Sequence, residues 1–221
     1  MTNPTLPGTI QSAATGLKGF DTFGTVDANT ATAAVAAGYT FCIRYLSLGS
    51  TQGLLSYNEA LGILNAGLAL SVVQQAQTPM EWIASAEMGT SLGTNAANNA
   101  KSIGLPGGMV VWCDLETPAT EAGSQGVIDL CQAWYAAVKA GGYVPGLYVG
   151  AGCLLDGDQL YDLSFQHYWK SNSSSTPIVS TRGFQMVQYY NNPYLTINTV
   201  PIDVDTTNND NKGGTVLWLK S

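Results

Sequence analysis

Short apolar segments alternate along the chain with segments of helical periodicity. Eight of the apolar segments have the composition of β-strands, being rich in β-branched and aromatic residues. We predict strands at residues 19–24, 39–47, 68–76, 108–116, 144–152, 165–171, 183–190 and 200–208. Between the earlier strands, helical segments with capping residues at their starts and glycines at their ends are recognisable. We predict helices at residues 27–38, 56–67, within 79–104 and at 125–142.

The order of these elements indicates parallel βαβ units, and the nearly continuous apolar strands indicate a sheet covered on both faces. A doubly wound open sheet would have the same local pattern. Its first strand, however, should lead into a G-x-G-x-x-G loop, and the chain reads GFDTFGTVD there. We therefore predict an α/β fold, a single compact (β/α)8 TIM barrel with short loops over residues 19–221. Residues 1–18 are predicted to be a flexible N-terminal leader.

Composition restricts the partners. The chain has 221 residues, 45% of them hydrophobic and 10% charged, which is enough for one sizeable core. Acidic residues outnumber basic ones by 15 to 8, and no Lys/Arg cluster is present, so no nucleic acid partner is expected. The apolar runs are shorter than the roughly 18 residues of a membrane span, which predicts a soluble protein with no membrane span. The N-terminus lacks the basic and apolar regions of a secretory signal.

The chemistry of the cysteines points away from metal binding. None has CxxC or Cys/His metal spacing, and His167 is the only histidine, so we predict no metal site and no cofactor. Two interpretations of the thiols remain, four buried free side chains or one disulfide. The first is favoured because an even count is a weak signal. The cysteines are Cys42, Cys113, Cys131 and Cys153.

Two carboxylates interrupt the apolar segment VVWCDLE. Side chains alternate along a strand, so Asp114 and Glu116 are predicted to face the barrel interior while Cys113 and Leu115 face the helices. Burial and mutual repulsion should raise the pKa of one acid, and we predict a raised pKa for Glu116 and a lower one for Asp114. Glycoside cleavage needs such a protonated acid beside a second carboxyl group.

Further carboxylates follow other predicted strands, namely Asp21 on the first and Asp203 and Asp205 on the last. In a TIM barrel, the carboxyl ends of the strands meet at one mouth, where active sites lie. An acid at a strand end can instead cap a helix or bind a loop amide. All five acids together are more specific than any one of them, and we predict that they meet at the mouth.

Several segments of the chain resemble segments of known families. GFD, VVWCDLE, PGLYVG and the final MVQYYNN and VPIDVDTTN are similar to the N-acetylmuramidase lysozymes of glycoside hydrolase family 25. The likeness is closer to the glycoside hydrolase-like group called domain of unknown function 1906, through GFDTFG, AGYTFCIRYLS, CQAWY, GYVPGLYVGAG, FQHYWKS and GFQMVQ. It extends over about residues 19–219. The resemblance implies a (β/α)8 barrel that acts on a cell-wall glycan, outside the cytoplasm.

Site residues follow from the resemblance position by position. Glu116 matches the proton donor of the family's D-x-E motif and Asp114 its companion, while Asp21 matches the first-strand Asp. Asp205, or alternatively Asp203, matches the Asp of the terminal motif. The remaining matches are Tyr148 on the fifth strand and Gln188 in the family's WQY segment. Val187 stands where that segment has Trp, which removes a possible sugar-stacking surface.

Three other side chains are candidates on chemical grounds. A buried Arg is almost always paired with a carboxylate, so Arg44 is predicted to orient Asp21 or another acid, with substrate contact as the alternative. Trp169 and His167 share one face of their strand. Trp169 either stacks on a sugar or packs in the core. His167 is expected to be a structural hydrogen-bonding residue rather than a base.

The functional prediction is a glycosidase that cleaves an amino-sugar polymer of the cell wall. Peptidoglycan and a chitin-like polymer are the expected partners, with Glu116 as the acid and Asp114 or Asp205 assisting. The N-acetyl group of the substrate could also act as the nucleophile. Two alternatives use the same barrel without turnover, as an inactive glycan-binding module or as a structural scaffold.

Overall fold

The computed structural model describes residues 4–49, 54–74, 77–190 and 195–221. Within these ranges the strands are β1 Thr9–Ser12, β2 Lys18–Thr22, β3 Phe41–Leu46, β4 Ala69–Gln74, β5 Val110–Leu115, β6 Val144–Val149, β7 His167–Ser171, β8 Met186–Tyr189, β9 Leu195–Ile197, β10 Val200–Thr207 and β11 Leu217–Lys220. The helices are α1 Ala28–Ala36, α2 Tyr57–Asn65, α3 Ala86–Ile103, α4 Gly123–Ala140 and α5 Gly157–Asp162. Every predicted strand and helix is present, although predicted residues 75 and 76 lie outside the described ranges.

Eight strands close into a barrel. Parallel pairing runs from β2 through β3, β4, β5, β6 and β7 to β8, and β10 pairs with both β8 and β2 to complete the ring. The strand β10 is antiparallel to both neighbours, so the barrel is mixed. The predicted closure by eight strands is therefore confirmed, but the predicted all-parallel arrangement is wrong.

The predicted full (β/α)8 architecture is also wrong, because the described residues contain only five helices. A helix follows each of β2 to β6, whereas β7 and β8 are joined by an irregular segment. A parallel crossover normally needs a dozen or more residues and usually a helix. The chain instead turns back between β9 and β10 in a hairpin, with Asn198 at φ +53° in the turn. That reversal makes β10 antiparallel.

The N-terminal segment is attached to the barrel. Strand β1 pairs antiparallel with β11, and β11 pairs with the start of β4 through Leu219 and Leu70. Leu6 is buried, and its amide donates to the carbonyl of Gly104 at 2.8 Å. Part of the segment predicted to be a flexible leader is thus built into the sheet at the closed end of the barrel.

Two apolar layers hold the architecture together. Alternate strand residues form an inner core within the barrel, including Phe41, Trp112, Trp169 and Trp218. The residues between them face an outer core shared with the helices. Side-chain caps start four of the helices, and these caps are Asp27, Ser56, Ser85 and Asp156. No helix in the described ranges combines the length and apolarity needed to cross a bilayer.

Candidate active site

The VVWCDLE segment forms β5 and the residue after it, as predicted. Trp112 belongs to the inner core, whereas Cys113 and Leu115 belong to the outer core. Asp114 therefore faces the barrel interior one step above Trp112, and Glu116 follows at the end of the strand. Both carboxyl groups line a cleft of about 730 Å³ at this mouth. The predicted orientation of the D-x-E pair is confirmed.

The cleft is polar and acidic. It is lined by side chains from the ends of several strands and from the loop after β7: Tyr45, Asp114, Glu116, Tyr148, Ala151, Trp169, Ser171, Asn172, Ser173, Ser174, Gln188, Tyr190 and Asp203. None of these described lining residues is Lys, Arg or His. Among the described residues, no group of three or more His, Cys, Asp and Glu side chains is arranged to hold a metal ion.

Close backbone packing fixes the position of Glu116. A Cβ atom at Gly150 would lie 2.8 Å from Cγ and 2.9 Å from Oε1 of Glu116, so only glycine leaves room for this side chain. The next residue, Thr117, has φ +41°, which is an outlier for a β-branched residue. Backbone strain of this kind is concentrated at functional sites and costs roughly 1–3 kcal/mol.

The two acids of the motif do not divide as predicted. Burial raises the pKa of Glu116, with a further contribution from the negative charge of Asp203. Burial also raises the pKa of Asp114, and by more, with the charges of Glu116 and Asp21 adding to the effect. The raised pKa of Glu116 agrees with the prediction, but the lower pKa predicted for Asp114 is wrong. Asp114 lies deeper, where the loss of hydration outweighs its other interactions.

Asp21 is at the centre of a hydrogen-bonded network. Its Oδ1 accepts from the Tyr45 hydroxyl at 3.0 Å, and its Oδ2 accepts from the Gln188 amide at 2.8 Å. The Oε1 of Gln188 in turn accepts from the Tyr148 hydroxyl at 2.7 Å. Burial raises the pKa of Asp21 to about 7 in spite of these hydrogen bonds. Three residues selected from the sequence, Asp21, Tyr148 and Gln188, are therefore directly connected.

The two acids of the last barrel strand lie at different depths. Asp203 pairs in register with Asp21 and lines the cleft, while Asp205 lies one step deeper, opposite Gly19 and Gln188. Asp205 is fully buried, and neither of its carboxyl oxygens makes a hydrogen bond of good geometry among the described residues, although Asp21 and Trp169 lie close enough to affect its pKa. Burial, followed by the charge of Asp21, raises its pKa well above the usual range. Because β10 is antiparallel, its amino end lies at the mouth, so Asp203 reaches the cleft from the first half of the strand and Asp205 lies below it.

Arg44 has a carboxylate partner, but that partner is not in the cleft. Its Nε lies 2.6 Å from Oε1 of Glu59 on α2, and its Nη1 donates to the carbonyl of Thr22. The neighbours Cys42 and Leu46 face the outer core, as does Arg44. The predicted carboxylate partner of Arg44 is therefore present, but it is Glu59 and neither Asp21 nor an acid of the cleft, and Arg44 does not line the cleft. Alternation along β3 places it on the opposite side from Tyr45.

Trp169 is part of the cleft floor. It is 1% exposed, and its ring centre lies 4.4 Å from that of Tyr148, so it packs in the inner core while its edge borders the cleft. His167 is on the same face but at the opposite end of β7. Val187 lies between the inward-facing Met186 and Gln188, so it points away from the cleft. A larger side chain at 187 would not have formed the expected stacking surface.

Several cleft residues were missed from the sequence. Tyr45 bonds Asp21, and alternation from the apolar Ile43 would have placed it inside the barrel. Gly150 was missed because a requirement for space beside another strand has no local signature. The loop that contains Asn172 and the serines after it carries no sequence motif that would indicate its place in the cleft. All four cysteines lie in the described ranges, and each is buried and free, as favoured above.

Comparison with known proteins identifies the family. The family model for the Rv2525c-like, glycoside hydrolase-like domain matches residues 32–216, which is most of the chain. The chain belongs to this family. The Rv2525c-like family was formerly called domain of unknown function 1906, so the resemblance seen in the sequence is confirmed. A search of curated proteins finds no match.

Solved structures show how widely this barrel is shared. The Tat-secreted protein Rv2525c of Mycobacterium tuberculosis has a TM-score of 0.69 at 18% identity, over 88% of this chain and 96% of that one. A lysozyme of Streptomyces coelicolor has a TM-score of 0.62 at 16% identity, over 89% of this chain and 94% of that one. A muramidase of Trichobolus zukalii has a TM-score of 0.62 at 17% identity, over 87% of this chain and 93% of that one. At such identities, the likeness of the Rv2525c-like chain to these enzymes shows a common fold.

Proposed function

We propose that this protein is a glycosidase that cleaves an amino-sugar polymer of the cell wall, with Glu116 as the general acid. The observation that carries the proposal is the state of Glu116, a half-buried carboxyl group that borders the cleft and whose pKa is raised by burial. A general acid must hold its proton until the leaving oxygen needs it, and a raised pKa favours the protonated form.

The second group in the proposed reaction is Asp114. Asp205 does not line the cleft, whereas Asp114 lies beside Glu116 on the same face. Burial raises the pKa of Asp114 and so favours its protonated form in the empty site. Positive charge that develops on the sugar ring would favour the ionised form of Asp114. The carboxylate would then stabilise the oxocarbenium-like centre directly or through the N-acetyl group of the substrate.

The Asp21 network would hold the opposite wall of the site. Tyr148, Gln188 and Asp21 are connected through hydrogen bonds of 2.7 and 2.8 Å, so each side chain has a fixed orientation. Preorganised groups lower the cost of binding and of reaching the transition state. In this proposal they are positioning residues, and the two acids of β5 perform the proton transfer and charge stabilisation.

A cell-wall target also suits the relatives. The structures with the same barrel include a lysozyme and a muramidase, and the Mycobacterium tuberculosis relative is a secreted protein. The cleft is open along the mouth and polar, which suits a polymer better than an apolar small molecule. We propose peptidoglycan or a chitin-like glycan as the substrate and the outside of the cytoplasm as the location.

One observation favours a second function. Burial raises the pKa values of Asp21, Asp114 and Asp205 together, which disfavours the ionised carboxylates that would stabilise a cation. A barrel that binds glycan without cleaving it needs only the hydrogen-bonding capacity of these groups. The glycan-binding module is therefore the alternative proposal.

Glu116→Gln distinguishes the two. The amide fills the same volume but cannot donate the proton, so turnover of peptidoglycan or chitin oligosaccharides should fall by about 10² to 10⁴ while binding persists. Release of reducing ends and calorimetric binding are the measurements. Glu121→Gln, on the exposed turn after β5, is the matched control and should leave both unchanged. Equal glycan binding by wild type and Glu116→Gln, without reducing ends from either, would establish the binding module.

A further inference from the structure

A second cavity adjoins the cleft on the side away from Glu116. It has a volume of about 410 Å³ and lies between the end of β2 and the start of β10. Tyr45 and Asp203 line both this cavity and the main cleft, so the two spaces are neighbours on either side of these side chains. No role has been given to the second cavity above. Its position along the mouth is where the next unit of a bound polymer would lie.

The walls of this cavity are apolar and include an exposed aromatic ring. Phe23, Pro201 and Ile202 form them. Phe23 is 55% exposed, which is unusual for a large apolar side chain beside a cavity. Its ring meets that of Tyr45 edge to face, with centres 5.8 Å apart, so one contact holds the ring while much of its surface stays open. Such a surface suits the C–H face of a sugar ring.

The cavity is also preformed. The Thr22 hydroxyl donates to the carbonyl of Pro201 at 2.6 Å and accepts from the amide of Gly24 at 3.0 Å. These bonds connect the loop that carries Phe23 to the start of β10. A Cβ at Gly24 would lie only 2.8 Å from Cγ1 of Val200, so the two walls are in close contact behind the ring. Little ordering would be required when a ligand enters.

The base of the cavity determines which ligand it accepts. Asp21 and Asp203 lie there, and Asp203 is half-buried. No Lys, Arg or His is present among the described residues that line either cavity. A carboxylate-bearing sugar would therefore meet the acidic side chain of Asp203 without a counter-ion, whereas sugar hydroxyl and amide groups could donate to the carboxyl group of that side chain.

We propose that this cavity is a subsite for one uncharged N-acetylhexosamine unit of the glycan, with Phe23 as the surface on which the sugar ring stacks. The apolar walls accept the ring face and the acetamido methyl group, and Asp203 accepts a hydrogen bond from the polar edge. The proposal rests on the proposed glycan substrate and adds which unit binds beside the acids and by which residue. In a polymer of alternating neutral and acidic sugars, the neutral unit occupies this position.

The test uses Glu116→Gln as the parent, so that the ligand is bound and not consumed. Binding of an N-acetylglucosamine tetramer is measured by calorimetry for the parent and for the parent carrying Phe23→Ala, Phe23→Tyr or Tyr161→Ala. Loss of the ring should raise the Kd about tenfold, whereas Phe23→Tyr should restore binding to within about threefold. Tyr161 is an exposed aromatic residue on α5, away from both cavities, and its removal should change nothing.

The possible failures are distinct. If the parent binds the tetramer and Phe23→Ala binds it equally well, the subsite is refuted while the proposed substrate stands. Binding of a carboxylate-bearing tetramer of muramic units as tightly as the neutral tetramer would refute the charge selection. If the parent binds neither glycan, both the subsite and the proposed function fail. If Phe23→Ala weakens glycan binding but the wild type never cleaves the glycan, the subsite is supported and the hydrolase is refuted.

Discussion

The buried acid Asp21 should make the barrel less stable as the pH rises. Burial raises its pKa from 3.8 to about 7, so between these values the folded protein retains a proton that the unfolded chain has released. The contribution of Asp21 is therefore most favourable below about pH 4, declines through the acidic range and is lost above about pH 7. The slope for one such proton is about 1.4 kcal/mol per pH unit, which gives a total near 4 kcal/mol over the shift of about 3 units.

Asp21→Asn isolates this contribution. The Asn oxygen can still accept from the Tyr45 hydroxyl, and a rotation of the Gln188 amide can satisfy the new NH2 group. Other titrating groups are present in both proteins and largely cancel in the comparison. Because the charge of Asp21 also raises the pKa of Asp205, the difference should be at least that of one proton. The wild type should lose stability more steeply than the variant by about 1.4 kcal/mol per pH unit between about pH 5 and 6.5.

Urea unfolding at several pH values measures this difference, since the free energy of unfolding follows from the midpoint and the m-value. Asp162→Asn, at an exposed position on α5, is the matched control and should give a curve parallel to the wild type. If the curves of wild type and Asp21→Asn are parallel over the same pH range, Asp21 is ionised in the folded protein. The conclusion that buried Asp21 keeps its proton in the folded protein would then be refuted.

Two further substitutions test other parts of the structure. Arg44→Met should reduce the free energy of unfolding by about 3–5 kcal/mol because it leaves Glu59 buried without its partner. In urea unfolding, a double variant that also carries Glu59→Leu should recover most of this loss. No recovery would contradict the pairing. Gly150→Ala should lower kcat by about 10² with little change in KM, because the added methyl group displaces Glu116 by contacts of 2.8–2.9 Å. Gly62→Ala on α2, where the methyl meets nothing closer than 3.9 Å, is its control, and equal kcat values for the two variants would show that Glu116 needs no such space.

The strands and the D-x-E pair could be predicted because they depend on local signals. Alternation with a period of two assigned Asp114 to the interior without any knowledge of its neighbours in space. The same rule, applied from Ile43, would have placed Tyr45 inside and Arg44 outside. The charge of Arg44 correctly predicted a carboxylate partner, but the alternation along its strand was needed to place that partner outside the barrel.

The remaining features depend on contacts between distant parts of the chain. The direction of β10 is set by its hairpin with β9, which follows residues 191–194, outside the described ranges. The composition of a strand is the same whichever way the strand runs. The pairing of β1 with β11 joins the two ends of the sequence. The pKa of Asp114 depends on its depth below the mouth and on Asp21 from another strand. None of these quantities can be obtained from residue spacing along a single segment.

The cost of the site argues that it is more than a by-product of the fold. Asp205 is fully buried beside Asp21 and makes no hydrogen bond of good geometry among the described residues, although nearly all buried polar groups in proteins are paired. Thr117 adopts a left-handed conformation directly after Glu116. Apolar residues in the lumen and a glycine at 117 would avoid both penalties in a barrel that served only as a scaffold. Retention of destabilising groups at one mouth is expected where those groups act on a ligand, and this favours a glycan-directed function over a purely structural one.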